Sequence, residues 1–390
     1  MRTLKIGSSL FSLLVLLSNA FGQEHSSTGR AGPGLEGIDK VLQETVQKHK
    51  IAGASLAISK DGRLVFAKGY GWANIAEKTP VEPRTLFNVA SCTKPFTGVA
   101  ILKLVEAGKL KLDDKAFRIV KSIKPPPGVK VDPRYYEITV RQLLHHASGL
   151  PRDGKHKRDA AAIADFISEN MRDPLEFDPG TKSVYSNLGF LLLREVVKAA
   201  AGEDYESYTI QHVLTPAGIK DMRLDTKETG YFPKEAHRYV GSERKELPGG
   251  TKNQIKGDGC WIASPIDFVK FLTALEGTRG KPLLTKASYR EMLAPLPSLP
   301  SKDKHNGLGW DSVIAEKEGK YLYEKNGGIA GIATYMEHLP SNVDYAVFFN
   351  TSADKEDSEK PDGANAWRKE LIEAIRKQEH WPKIDLFEKF

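Results

Sequence analysis

Ser91 and Lys94, three residues apart in "FNVASCTKPFTGVAILKLVEAGKL", form a pair able to do nucleophilic chemistry. A hydroxyl attacks a carbonyl carbon only when something takes its proton, and an adjacent amine is one such acceptor. Positions i and i+3 of a helix share a face, so the amine reaches the hydroxyl. The free N–H groups and positive dipole end of a helix start also favour negative charge developing at Ser91. Spacing alone settles little, because S-x-x-K occurs at Ser91, Ser242, Ser301 and Ser352. The last three sit in polar or proline-flanked stretches, whereas Ser91 opens a sustained apolar run that reads as an amphipathic helix. Taken alone, Ser91 as a helix cap and Lys94 as a solvated charge would explain the pair as well.

Two further segments supply matching chemistry. "PGTKSVYSNLGFLLL" holds Tyr185 and Asn187 in the chain's one Y-x-N, placed in a turn before a long apolar helix. "YEKNGGIAG" holds Lys325, Asn326, Gly327 and Gly328 on an expected strand, where glycines let a substrate approach the backbone closely. His145-His146 invites a metal reading, but H-E-x-x-H is absent and no other ligand stands at suitable spacing, so His146 is read as structural and no metal or cofactor is expected. There is no G-x-S-x-G elbow, which argues against an α/β-hydrolase.

In the order SxxK, YxN, KxG, the chain resembles the serine β-lactamase and penicillin-binding protein superfamily, most closely its class C β-lactamase, D,D-peptidase and family VIII esterase branch. The blocks "FNVASCTK", "ITVRQLLHHASGLP", "YSNLGFLLL", "GCWIASPIDFVKFL" and "KNGGIAG" carry the resemblance from about Leu35 to Asn350. It implies Ser91 as nucleophile, Lys94 as its base, and Tyr185 as the shuttle that carries the proton to and from the leaving group. The oxyanion would sit between the N–H groups of Ser91 and Gly328. Asn187 would hold Lys94 and a substrate carbonyl, and Lys325 would bind a substrate carboxylate. A lysine acts as a base only when neutral, which burial and a nearby cation such as Lys325 favour. Two features depart from the family: Asn326 replaces a hydroxyl residue expected to touch that carboxylate, which puts β-lactam hydrolysis in doubt, and Cys92 adjoins the nucleophile. Within the family the "GCW" loop lies by the active-site rim, so a Cys92–Cys260 disulfide enters as a hypothesis beside two free thiols.

The elements that position these residues follow from pattern. "LEGIDKVLQETVQKHK" has helical spacing, and two β-rich runs flank the turn dipeptide Asp61-Gly62. After the helix that Ser91 opens and the break "KPPPGVKVDP", helices dominate from "ITVRQLLHHASGLP" to about Asp225, with Gly202 a helix stop. Ser264 caps another helix before Pro265. Four strands of an antiparallel meander follow, then a last helix. The expected fold class is α/β (α+β): an antiparallel sheet from both ends of the chain, flanked by helices, with a mainly helical domain inserted at about 118–255. The domain runs over 35–354, and 355–390 form a C-terminal helix and tail packing on the sheet.

Residues 1–22 have a basic start at Arg2 and Lys5, an apolar run too short to span a membrane, and small residues before a polar stretch; this is a signal-peptide pattern, with 23–34 as a linker. A secreted or periplasmic protein without lasting membrane insertion is expected. The net charge of +7 is spread among nearly as many acids, without the clustered basic face of a nucleic-acid binder. With two cysteines in 390 residues, neither a disulfide scaffold nor a cysteine-built metal site is expected. The partner is then a small molecule or peptide, bound as a substrate or by a non-catalytic penicillin-recognising scaffold. Oligomeric state is not legible.

Overall fold

The computed structural model describes residues 27–156, 162–226, 229–250, 261–301, 303–352 and 363–390. Residues 1–22, the expected signal peptide, and Cys260 lie outside them. Strands β1 (Ser27–Ala31), β2 (Gly53–Lys60), β3 (Arg63–Asn74), β4 (Ser312–Ala315), β5 (Tyr321–Ile329), β6 (Ile332–Leu339) and β7 (Val343–Phe349) form an antiparallel sheet in the order β1-β3-β2-β7-β6-β5-β4, with a short strand Thr79–Pro80 added to β3. The β2–β3 hairpin turns at Asp61 (φ 49°) and Gly62 (φ 73°), the two positive dihedrals that this turn dipeptide tolerates. Pairing of β7 with β2, Val347 opposite Leu56, joins the two ends of the chain into one sheet.

One face of the sheet is covered by helices α1 (Glu36–Lys48) and α5 (Gly363–Lys377). Ile38, Leu42 and Val46 from α1, with Leu371 and Ile375 from α5, pack on Tyr345, Val347 and Phe349 of β7. Each such side chain contributes about 1.5–3 kcal/mol on full burial. On the opposite face lies α4 (Pro265–Glu276), started by a reciprocal cap in which Ser264 and Asp267 satisfy each other's backbone N–H groups. Between α4 and the helical region runs α2 (Lys94–Glu106), whose Phe96 stacks on Phe271 with centroids 4.0 Å apart. The helical region contains α3 (Asn187–Ala201), capped by the Ser186 hydroxyl and stopped at Gly202 with φ 80°.

Two expectations change. The amphipathic reading of α2 gives way to burial of nearly every residue from Lys94 to Leu104, because the helix is packed from all sides; Gly98 lies so close to the Leu308 carbonyl that a Cβ would sit 2.5 Å from it. Residues 27–31 of the expected linker instead form β1, held on β3 by backbone pairing that needs no apolar alternation.

Candidate active site

Ser91 lies in a 3-10 turn, Ala90–Thr93, that feeds directly into α2 at Lys94. Side chains at i and i+3 eclipse in such a turn, so Lys94 sits against Ser91 and its Nζ donates to Ser91 Oγ at 3.2 Å. The entry is fixed by Asn88, whose Oδ1 accepts the Ala90 N–H at 2.9 Å. Ala90 has φ 45°, an unfavourable backbone conformation for a residue with a side chain, stored immediately before the hydroxyl.

From the turn before α3, the Tyr185 hydroxyl lies 2.5 Å from Ser91 Oγ. His146 clamps this turn at three successive residues. Its carbonyl accepts from Val184 N–H at 2.8 Å, its ring lies 4.4 Å from that of Tyr185, and its Nδ1 accepts from Ser186 N–H at 3.1 Å. Burial holds the His146 pKa well below the ordinary value, and Lys325 and Lys94 push it the same way, so the ring is neutral with its proton on Nε2. Asn187, the first residue of α3, bridges two charges. Its Oδ1 accepts from Lys94 Nζ at 2.8 Å, and its Nδ2 donates to Asp153 Oδ1 at 2.6 Å.

The third segment arrives on β5. Lys325 is fully buried, its Nζ 5.1 Å from the centroid of the Tyr185 ring, and it is ion-paired with Asp311. The other Asp311 oxygen accepts the Asn326 N–H at 3.1 Å. That N–H faces the edge of β5 away from β6. Two residues on, strand alternation turns the Gly328 N–H to the same edge, and the strand lies against the Ser91 turn at Gly327. Gly327 makes this approach possible: a Cβ there would lie 2.3 Å from Thr334 Oγ1 and 2.6 Å from the Val89 carbonyl. Gly327→Ala is therefore expected to destabilise the fold by about 1–3 kcal/mol and to lower activity more than tenfold. Chemical denaturation and steady-state rates measure the two effects, and wild-type values for both would show that the close approach is not needed.

Burial works to raise the Tyr185 pKa, but the Lys94 and Lys325 ammonium groups outweigh it and bring the phenol below its ordinary value of 10. For Lys325, burial works to lower the pKa, and Asp311 outweighs it with help from Tyr185, so Lys325 remains a cation. If the phenolate is the working form, kcat/KM rises with pH and levels off above an apparent pKa below 10. Lys325→Ala removes one of the stabilising cations, so the limb is expected to move to higher pH. A limb that stays in place would remove Tyr185 from the titration.

The fold thus gathers Ser91, Lys94, Tyr185, Asn187, Lys325, Gly327 and Gly328. Asn326 contributes its N–H, and alternation puts its side chain on the face of β5 opposite Lys325. The sequence reading missed Asp311, Asp153 and the clamp by His146. Asp311 was findable only from the hairpin register, in which Ser312 faces Glu324 and Asp311 therefore stands level with Lys325. Cys92 carries a free thiol, buried between the Lys325 carbonyl and Thr334, and burial pushes its pKa up to about 12. The other residue of the hypothesised disulfide, Cys260, lies outside the described residues. Among those residues no helix is long and apolar enough to cross a membrane.

Comparison with known proteins matches residues 38–371 to the family model described as Beta-lactamase. Protein flp of Staphylococcus aureus (strain MW2) is 33% identical over 222 residues, 55% of this chain and 42% of that protein, so the match spans less than half of that relative. Penicillin-binding protein 4* of Bacillus subtilis (strain 168) is 28% identical over 321 residues, 76% of this chain and 67% of that protein. The octameric penicillin-binding protein homologue from Pyrococcus abyssi superposes with a TM-score of 0.69 at 25% identity, covering 87% of this chain and 78% of that one.

Proposed function

The chain belongs to the Beta-lactamase family, and from that premise we propose that it is an exported serine hydrolase cleaving an ester, amide or β-lactam bond through an acyl-enzyme on Ser91. The observation that carries this reading is the position of Ser91 Oγ, 2.5 Å from the Tyr185 hydroxyl and 3.2 Å from Lys94 Nζ. Family relatives named as penicillin-binding proteins support the reaction class.

In this proposal Tyr185, as phenolate, takes the base role first expected of Lys94 and accepts the proton of Ser91 as Oγ attacks the carbonyl carbon. Lys94 directs one N–H at Oγ and steadies the negative charge through the attack. The tetrahedral oxyanion lies at the N–H groups of Ser91 and Gly328. Collapse breaks the bond to the leaving group, which leaves with the proton from Tyr185. Water then attacks the acyl-enzyme, giving its proton to Tyr185, and the acid departs as Ser91 takes that proton back. Export is supported by the basic and apolar pattern of residues 1–22.

The test is turnover of p-nitrophenyl esters, a chromogenic cephalosporin and a D-alanyl-D-alanine peptide, side by side with Ser91→Ala. Turnover of at least one substrate, lost in the variant, is expected. Binding of a penicillin without turnover of any of the three would instead identify a non-catalytic scaffold.

A further inference from the structure

We infer that Asp311 determines which substrate charge the site accepts: by pairing Lys325 it withdraws the cation that a substrate carboxylate would use, so the substrate is an ester or amide with no anionic group beside the scissile bond. The inference rests on the Ser91 reading above and deepens it.

Three observations converge. The β4–β5 register brings Asp311 level with Lys325, and both carboxylate oxygens are engaged, one by Lys325 Nζ and one by the Asn326 N–H. The acid is therefore fixed in place and does not swing aside for an incoming anion. Exposure is also divided unequally, because the Lys325 side chain has 0% of its surface accessible and that of Asp311 has 25%. Asp311, the like charge, is thus the member of the pair more accessible to a carboxylate arriving from solvent. Finally, an exposed cation beside Tyr185 also has a carboxylate neighbour. Arg152 lies 5.0 Å from the Tyr185 ring centroid, with its Nε 3.5 Å from Asp153. Asp153 is itself held by Asn187, and Lys94 is held by Ser91 and Asn187. Thus Lys325 and Arg152 each have a carboxylate neighbour, the Arg152 pair being the exposed and weaker of the two, with 68% of the Arg152 side chain accessible.

The test uses two alkyl fluorophosphonates that differ only at the end of the alkyl chain, one a methyl ester and the other the free carboxylate. Labelling rate constants are measured on the full chain. Wild-type protein is expected to react at least tenfold faster with the neutral probe, and Asp311→Asn is expected to narrow that ratio at least tenfold. Using the ratio matters, because a change in the proton affinity of Tyr185 affects both probes alike. Should Asp311→Asn fail to fold, Asp311→Ala serves as the second variant, and a wild-type ratio at or below one overturns the inference without either. Ser91 labelling with equal rates, or faster with the carboxylate probe, overturns this inference and leaves the Ser91 reading standing; so does an unchanged ratio in the folded variants. Labelling by neither probe, or labelling that survives Ser91→Ala, overturns both.

Discussion

Lys94→Ala is expected to lower kcat/KM for a neutral ester by about 10⁴-fold, near the top of the range for loss of a proton-transfer or charge-stabilising group. The size follows from how many jobs one ammonium holds. It donates to Ser91 Oγ and to Asn187, and its charge lies 4.9 Å from the centroid of the Tyr185 ring, where it keeps the phenol below its ordinary pKa. Removal weakens the forming alkoxide and makes the phenol harder to ionise at the same time. Because Lys94 is buried in α2, the alanine variant also leaves a void. Lys94→Met restores the volume without the charge and is expected to be equally inactive. A methionine variant that regains wild-type rates would show that packing, and not the amine, is what the position supplies.

Tyr185→Phe should lower kcat/KM by about 10²- to 10⁴-fold and leave KM nearly unchanged. The ring remains to pack against His146 and to face Lys94 and Lys325, so the turn before α3 keeps its place. What disappears is the oxygen 2.5 Å from Ser91 Oγ, and with it the acceptor in acylation and the donor to the leaving group. The rise of rate with pH below 10 is expected to vanish along with the rate. If Tyr185→Phe retained both rate and pH profile, Lys94 would have to carry the proton alone.

The legible parts of this chain are those that local chemistry specifies. Asp61-Gly62 demanded a tight turn, Ser264-Pro265 a helix start and Gly202 a stop, and each is found there. The four-strand meander and the use of both chain ends in one sheet followed from pattern. What stayed hidden depends on contacts between distant segments. Asp311 meets Lys325 only because the loop between β4 and β5, with Glu318 at φ 62°, fixes one register out of several. Asp153 reaches Asn187 because the carbonyl of Arg152 accepts the Asn187 and Leu188 N–H groups at the start of α3, which no periodicity announces. The burial of α2 on all sides is likewise a property of its neighbours. The reading of Lys325 as a binder of substrate carboxylate was made without its counter-ion Asp311, and it is on that pair that the inference of a neutral substrate rests.

The most direct test of the central claim is intact-protein mass spectrometry after exposure to a fluorophosphonate, followed by mapping of the modified peptide. One adduct per chain, on Ser91 and absent from Ser91→Ala, is the result expected if Tyr185 and Lys94 activate that hydroxyl. An adduct on any other residue, or one that persists in the alanine variant, would contradict it.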